Sequence, residues 1–239
     1  MKSFKKGFFN FSKQKKQEEI IHHPNICSDI LKSNPINFNI KILAIADTHN
    51  KLSIHQNLNF PKEINFDICI LLGDISKGDI EVILKYIPKE KIIGILGNHD
   101  DLDTLEKYNI TNINKNIFTF NNIKILGLEG CIKYKENQAG YSLEESIIIC
   151  DNLPPSDIFI THNIPYKFMG DLNQVHIGNP AINKYLIKNQ CPINICGHNH
   201  SNFQGTLSNG TTVIETYMFT LIEISPQNIN INKIETRIN

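Results

Sequence analysis

Residues 40–49, IKILAIADTH, decide the fold. Apart from Lys41 the first seven residues of the stretch are apolar, and β-branched isoleucine recurs among them. A nearly continuous apolar run of this length is that of a strand buried on both faces. It stops abruptly at Asp47, and His49 follows two residues later. The same pattern then returns along the chain. Residues 68–72 (ICILL) end in Gly73-Asp74, and residues 92–96 (IIGIL) end in Gly97-Asn98-His99-Asp100. Residues 158–160 run into Thr161-His162-Asn163, and residues 193–196 into Gly197-His198-Asn199-His200. Between these runs lie helical patterns at 79–86, 102–108, 143–151 and 181–189. Ser142 followed by Glu144 and Glu145 suits the start of one of them, with acid in the first turn. Strands alternating with helices predict a layered α/β architecture. The segments 117–120, 123–128, 211–215 and 221–224 are not followed by helical patterns, and Asn121-Asn122 reads as a tight hairpin turn. These segments are expected as antiparallel additions, giving a mixed sheet or two stacked sheets.

The composition supports a folded globular body. The 239 residues hold 41% hydrophobic and 20% charged residues, which is globular and not disordered. Lysine plus arginine equals aspartate plus glutamate at 24 each, so the chain lacks the basic excess of a general nucleic-acid binder. No apolar run approaches the ~20 residues of a membrane span. The six cysteines form no C-x-x-C pair, and a chain of this size does not need stapling, so reduced thiols and a cytoplasmic location are expected. The N-terminus differs from the rest: six lysines and four phenylalanines interleave within residues 1–17. This breaks the apolar stretch that a secretory signal needs. Residues 1–38 are expected as a basic, partly ordered extension, with weak contact to anionic surfaces as the sharper alternative. Residues 39–239 are expected as a single domain. Oligomeric state is not readable.

Five successive strand ends carry metal-ligand residue types. Each alone is weak, because an Asp or His after a strand is most often a turn residue. Five in order are hard to produce by accident, and open α/β sheets gather their sites beyond the carboxyl ends of strands. Asp47 and His49 lie two apart, as do His198 and His200, so an extended strand end is expected to aim each pair the same way. Imidazole, carboxylate and amide oxygen suit Mn, Fe or Zn, and no thiolate is offered. Glycine at 73, 97 and 197 is expected where backbones turn sharply or approach closely.

The blocks Asp47-Thr48-His49, Gly73-Asp74, Gly97-Asn98-His99-Asp100, His162 and Gly197-His198-Asn199-His200 resemble the calcineurin-like metallophosphoesterase superfamily, in its small bacterial-type form. The resemblance covers the chain from about residue 40 onward. It implies a four-layer αββα sandwich with two stacked mixed β-sheets, the metallo-dependent phosphatase fold. It also implies two divalent ions, Mn2+ first, with Fe or Zn as alternatives. Asp47, His49, Asp74 and His200 correspond to the ligands of one ion, and Asp74, Asn98, His162 and His198 to those of the other, with Asp74 bridging. His99 matches the histidine that protonates the leaving oxygen, and Asp100 is expected to orient its imidazole. The implied activity is hydrolysis of phosphomonoesters or phosphodiesters, nucleotides or cyclic nucleotides included, by attack of a metal-bridging hydroxide. A nuclease of the same fold would need a basic groove, which the chain beyond residue 40 does not supply. A catalytically silent scaffold would show missing ligands, and none is missing.

Around this centre, residues 127–146 are expected at the substrate mouth, where Tyr134 or Tyr141 could stack on an aryl group or base. The long connection 163–180 is expected to line the pocket, with His176 as a substrate contact. Lys77 is near enough in sequence to meet a phosphate, although a solvated surface lysine is the commoner case.

Overall fold

A computed structural model describes residues 32–55, 58–59, 64–169, 176–234 and 237–238. The basic-aromatic residues 1–17 and Cys27 lie outside the described residues, as do residues 170–175 of the long connection.

Two six-stranded mixed sheets form the centre. In chain order the strands are β1 (Ile40–Ala46), β2 (Ile68–Leu71), β3 (Ile92–Gly94), β4 (Thr111–Asn112), β5 (Ile117–Phe120) and β6 (Ile123–Leu128). They continue with β7 (Ile158–Thr161), β8 (Ile193–Cys196), β9 (Phe203–Thr206), β10 (Thr212–Glu215), β11 (Met218–Ile224) and β12 (Ile229–Lys233). The first sheet runs β12-β11-β1-β2-β3-β4 and the second β9-β10-β8-β7-β6-β5. The helices are α1 (Lys51–Ile54), α2 (Lys77–Ile83), α3 (Thr104–Lys107), α4 (Leu143–Asn152) and α5 (Pro180–Lys188).

Strand periodicity explains the layers. Successive side chains point to opposite faces of a sheet. Ile42, Ala44 and Ala46 therefore share one face of β1 and meet Ile70, Ile125, Ile160 and Ile195 between the two sheets. Leu43 and Ile45 share the other face and pack with Leu52, Ile80, Ile83 and Leu105 of α1 to α3. On the far side, Leu126 and Phe159 pack against Cys150 of α4 and Ala181, Ile182 and Tyr185 of α5. The order is helices, sheet, sheet, helices: the expected αββα sandwich. The five described cysteines are free and buried. Among the described residues no helix is long and apolar enough to cross a membrane.

Several local expectations change. The pattern 102–108 yields only the short α3, because Leu102 is 59% exposed and the apolar face reduces to Leu105. The hairpin at Asn121-Asn122 forms, both residues having positive φ, and joins β5 antiparallel to β6. The segment at 212–215 is not a purely antiparallel addition. It lies parallel to β8 and antiparallel to β9. Strand β9 reverses the chain at the sheet edge, and β10 returns between β9 and β8. β9 itself (FQGT) had no apolar run to announce it, since its residues are mostly exposed. Residues 33–38 join the body: the Ser33 and Asn34 amides donate to the Asn209 and Gln190 carbonyls at 2.7 Å, and Ile36 and Phe38 pack on the inter-sheet core.

Candidate metal centre

The parallel strands β1, β2, β3, β7 and β8 end at the same edge of the sandwich, and the loops that follow them converge there. The backbone cross-ties the loops. The Asp47 amide donates to the Gly73 carbonyl at 3.0 Å, the His49 amide to the Asp74 carbonyl at 3.2 Å, and the Gly197 amide to the His162 carbonyl at 3.1 Å. The expected extended strand ends are absent. Asp47, His49, Asp74, His198 and His200 all have positive φ. Left-handed turns, not pleat alternation, aim these side chains, and such strained non-glycine residues concentrate at functional sites. Two glycines make the packing possible. Gly73 has φ +92°, and a side-chain carbon at Gly97 would lie 2.2 Å from Asp74 Oδ1.

The side chains present acceptor atoms to one another. Asp74 Oδ2 stands 3.6 Å from both His49 Nε2 and His162 Nε2, while Asp74 Oδ1 accepts the His99 amide at 2.7 Å. His49 Nε2 and His200 Nε2 are 3.0 Å apart, and Asp47 Oδ1 lies 4.0 Å and 3.7 Å from them. His162 Nδ1 is 2.7 Å from the Leu72 carbonyl, which can only accept, so the ring carries its hydrogen there. Its Nε2 is left facing Asn98 Oδ1 at 3.0 Å. This is the arrangement by which a carbonyl fixes the tautomer of a metal-binding histidine. His198 places its ring 5.1 Å from that of His162, and its amide donates to Asp47 Oδ2 at 2.9 Å.

Asp47 Oδ1 is buried with no hydrogen-bond partner. Converging lone pairs of this kind are held together by a proton or a cation. Two groups, Asp47 with His49 and His200, and Asp47 with Asp74 and His162, keep their donor atoms within 4.8 Å of one another. The residues present therefore fit divalent cations. Electrostatics follows the same geometry. Burial pushes the Asp47 carboxyl up to about 6. Burial would also raise Asp74, but the neighbouring histidines and the His99 amide outweigh it and hold the carboxyl below its usual value. Burial lowers His49 and His200. In His162 burial is opposed by the Asp74 and Asp47 carboxylates, and the net shift is upward.

His99 is exposed, with its ring 5.6 Å from that of His49. Asp100 does not orient it. The Asp100 Oδ2 accepts the amides of Asp74 and Gly97 at 2.9 and 2.7 Å, and Oδ1 that of Ile75 at 2.7 Å. Three inward backbone donors claim the carboxylate, which makes it a clamp between the β2 and β3 loops. Burial and the Asp74 charge push it up to about 7 against the pull of those amides. Lys77 is likewise engaged elsewhere, paired with Asp103 at 2.8 Å and Asp101 at 3.0 Å. Tyr134 is 55% exposed and its phenol oxygen lies 3.4 Å from Asn98 Nδ2, at the rim. Tyr141 instead accepts from Asn114 at 2.7 Å and packs toward α4. His176 reaches the site, its ring 5.3 Å from His198. Sequence reasoning missed Lys51 and Tyr217, which sit beside His200. The two-residue spacing from His49 is the signal that would have found Lys51, and nothing in the sequence announces Tyr217. Two surface hollows, beside Lys41, Asp67 and Glu223 and beside Asn121, Lys124 and Asp157, lie at the opposite strand ends and gather no such donor set.

Solved structures share the architecture. One crystal structure superposes with TM-score 0.60 at 14% identity, over 83% of this chain and 100% of the other. TT1561 of Thermus thermophilus gives TM-score 0.56 at 11% identity, over 82% of this chain and 99% of that one. A 5'-nucleotidase from Candida albicans gives 0.51 at 13% identity, over 81% of this chain but only 48% of the nucleotidase. At these identities the likeness is one of fold. No curated protein gives a significant match. The family model for calcineurin-like phosphoesterases matches residues 40–202, from the first residue of β1 to just past His200, and so includes every strand end in the donor set. The chain belongs to the calcineurin-like phosphoesterase family.

Proposed function

We propose that this chain hydrolyses small phosphomonoesters or phosphodiesters, nucleotides among them, with two divalent cations held by Asp47, His49, Asp74, Asn98, His162, His198 and His200. One observation carries the reading: Asp47 Oδ1 is buried with no hydrogen-bond partner, and the ring nitrogens of His49 and His200 lie 4.0 and 3.7 Å from it in a cluster that Asp74 and His162 complete. Mn2+ suits this oxygen and nitrogen set, with Fe and Zn as competitors. Bound cations would supply charge neutralisation of phosphate oxygens and a lowered pKa for water.

The chain's own groups do the rest. Asp74 lies between the two histidine groups and fixes their separation. The Leu72 carbonyl holds the His162 ring in one tautomer. The Asp100 clamp keeps the β2 and β3 loops in register, so the donors are positioned before substrate arrives. His99, exposed beside His49, is placed to hold a proton for the departing oxygen. Residues 39–239 would form this catalytic unit.

The test is metal content by elemental analysis, then turnover of an aryl monophosphate, an aryl diester, a cyclic nucleotide and single-stranded DNA with added manganese. Two ions per chain and hydrolysis of at least one small ester are expected. Two ions with no turnover on any substrate would instead indicate a scaffold that has kept its centre.

A further inference from the structure

Lys51 and Tyr217 have no role in the account above. Lys51 opens α1, two residues after His49, and Tyr217 lies in the link between β10 and β11. The Lys51 ammonium donates a hydrogen bond to the Tyr217 phenol oxygen and stands 4.8 Å from the centre of its ring. That ring in turn stacks on His200, centroids 5.4 Å apart and planes 26° apart. Asn202 fixes the tyrosine from behind. The Tyr217 amide donates to Asn202 Oδ1 at 3.0 Å, Asn202 Nδ2 donates to the Tyr217 carbonyl at 3.4 Å, and the Thr220 hydroxyl donates to Asn202 Oδ1 at 2.8 Å.

The place of Lys51 sets it apart, beside the ring that stacks on His200 of the donor cluster. Lys41, Lys77 and Lys184 each pair with a carboxylate. Among the described residues, the hydrogen-bond partner of Lys51 is a neutral phenol. An ammonium has three N–H donors, and a phenol that accepts one of them still has its own O–H to give.

We propose that Lys51 and Tyr217 form an anion subsite on the His200 side of the metal centre, which takes the extra charge of a phosphomonoester dianion and favours monoesters over diesters. The proposal rests on the phosphoesterase reading of the same site. A monoester carries about −1.5 to −2 near pH 7, one titratable oxygen more than a diester, whose single charge is fixed. A point cation at the rim rewards that difference whatever alcohol is esterified, and Tyr217 sets where the cation stands.

The experiment titrates inorganic phosphate and dimethyl phosphate into the manganese-loaded full chain by calorimetry, for the parent, Lys51→Met, Lys51→Arg and Tyr217→Phe. Lys51→Met should weaken inorganic phosphate about tenfold, the size of one charge-assisted hydrogen bond, and dimethyl phosphate less than about twofold. Lys51→Arg should restore most of the difference, and Tyr217→Phe, which keeps the ring on His200, should shift it partway. The ratio of kcat/KM for aryl monophosphate to aryl diester should fall with phosphate affinity at unchanged melting temperature and metal content. Equal losses on both anions, no loss on either, or a parent that does not prefer phosphate would overturn the subsite. Ester hydrolysis with an unchanged ratio defeats the subsite alone. Lys51-dependent phosphate binding without turnover defeats the hydrolase reading and leaves the subsite standing.

Discussion

Asp74 is where the two halves of the donor set meet, and His99 stands just outside it. Their substitutions should therefore separate. Asp74→Ala removes the oxygen lying 3.6 Å from both His49 and His162. Elemental analysis should show loss of at least one ion per chain, with activity falling below detection. His99→Ala should retain the parent's metal content while kcat drops by about 10²–10⁴-fold, the usual contribution of a positioned acid. Loss of metal in His99→Ala would mean that its role is structural. At this scale the residue types were legible because five strand ends repeat one chemistry. The use made of Asp100 was not. A carboxylate beside His99 in sequence looks like its partner, but three backbone amides from two loops reach it first, and only the loop crossing reveals them.

Secondary-structure elements were legible where apolar runs or caps marked them. Strands β1, β2, β3, β7 and β8 were readable because both faces are buried. α4 begins where Ser142 and Glu145 predicted, and the capping box is complete: the Glu145 amide donates to Ser142 Oγ at 3.1 Å, and the Ser142 amide to Glu145 Oε2 at 2.8 Å. Ser142→Ala should lower stability by about 1 kcal/mol in denaturant titration, with little change in the m-value. Glu145 adds a pH signature. The Ser142 backbone and side-chain hydrogen bonds hold its carboxyl below the ordinary value. Its support is therefore present above the unfolded-state pKa and is lost as pH falls through the folded one. Glu145→Gln should flatten that part of the stability profile between about pH 5 and 3. The elements that escaped reading, β9 and the true extent of α3, are exposed, so no burial pattern recorded them.

For the whole molecule, the strand pattern alone left one mixed sheet or two stacked sheets open, the family resemblance implied the four layers, and the sheet order was legible in neither. Nothing local says that β10 inserts between β8 and β9, because strand neighbours are chosen by packing across the sandwich. The same packing brings β1, β2 and β3 of one sheet and β7 and β8 of the other to a single edge. Chelation should then lower the melting temperature, and saturating manganese should raise it, by roughly 3 kcal/mol of stabilisation at a hundred times the dissociation constant. A scan with and without chelator checks this, and an unchanged melting temperature would mean that the acceptors are satisfied without ions.

The chain returns from the second sheet to the first through Thr216-Tyr217, at the edge where the donors gather. A cation gripped there would fasten two plates that otherwise cohere through greasy contact and a few polar ties such as those of His162 to Leu72 and His198 to Asp47. Starving the protein of metal should therefore do more than silence it: the plates would be freer to shear, and the two rows of loops would drift apart together.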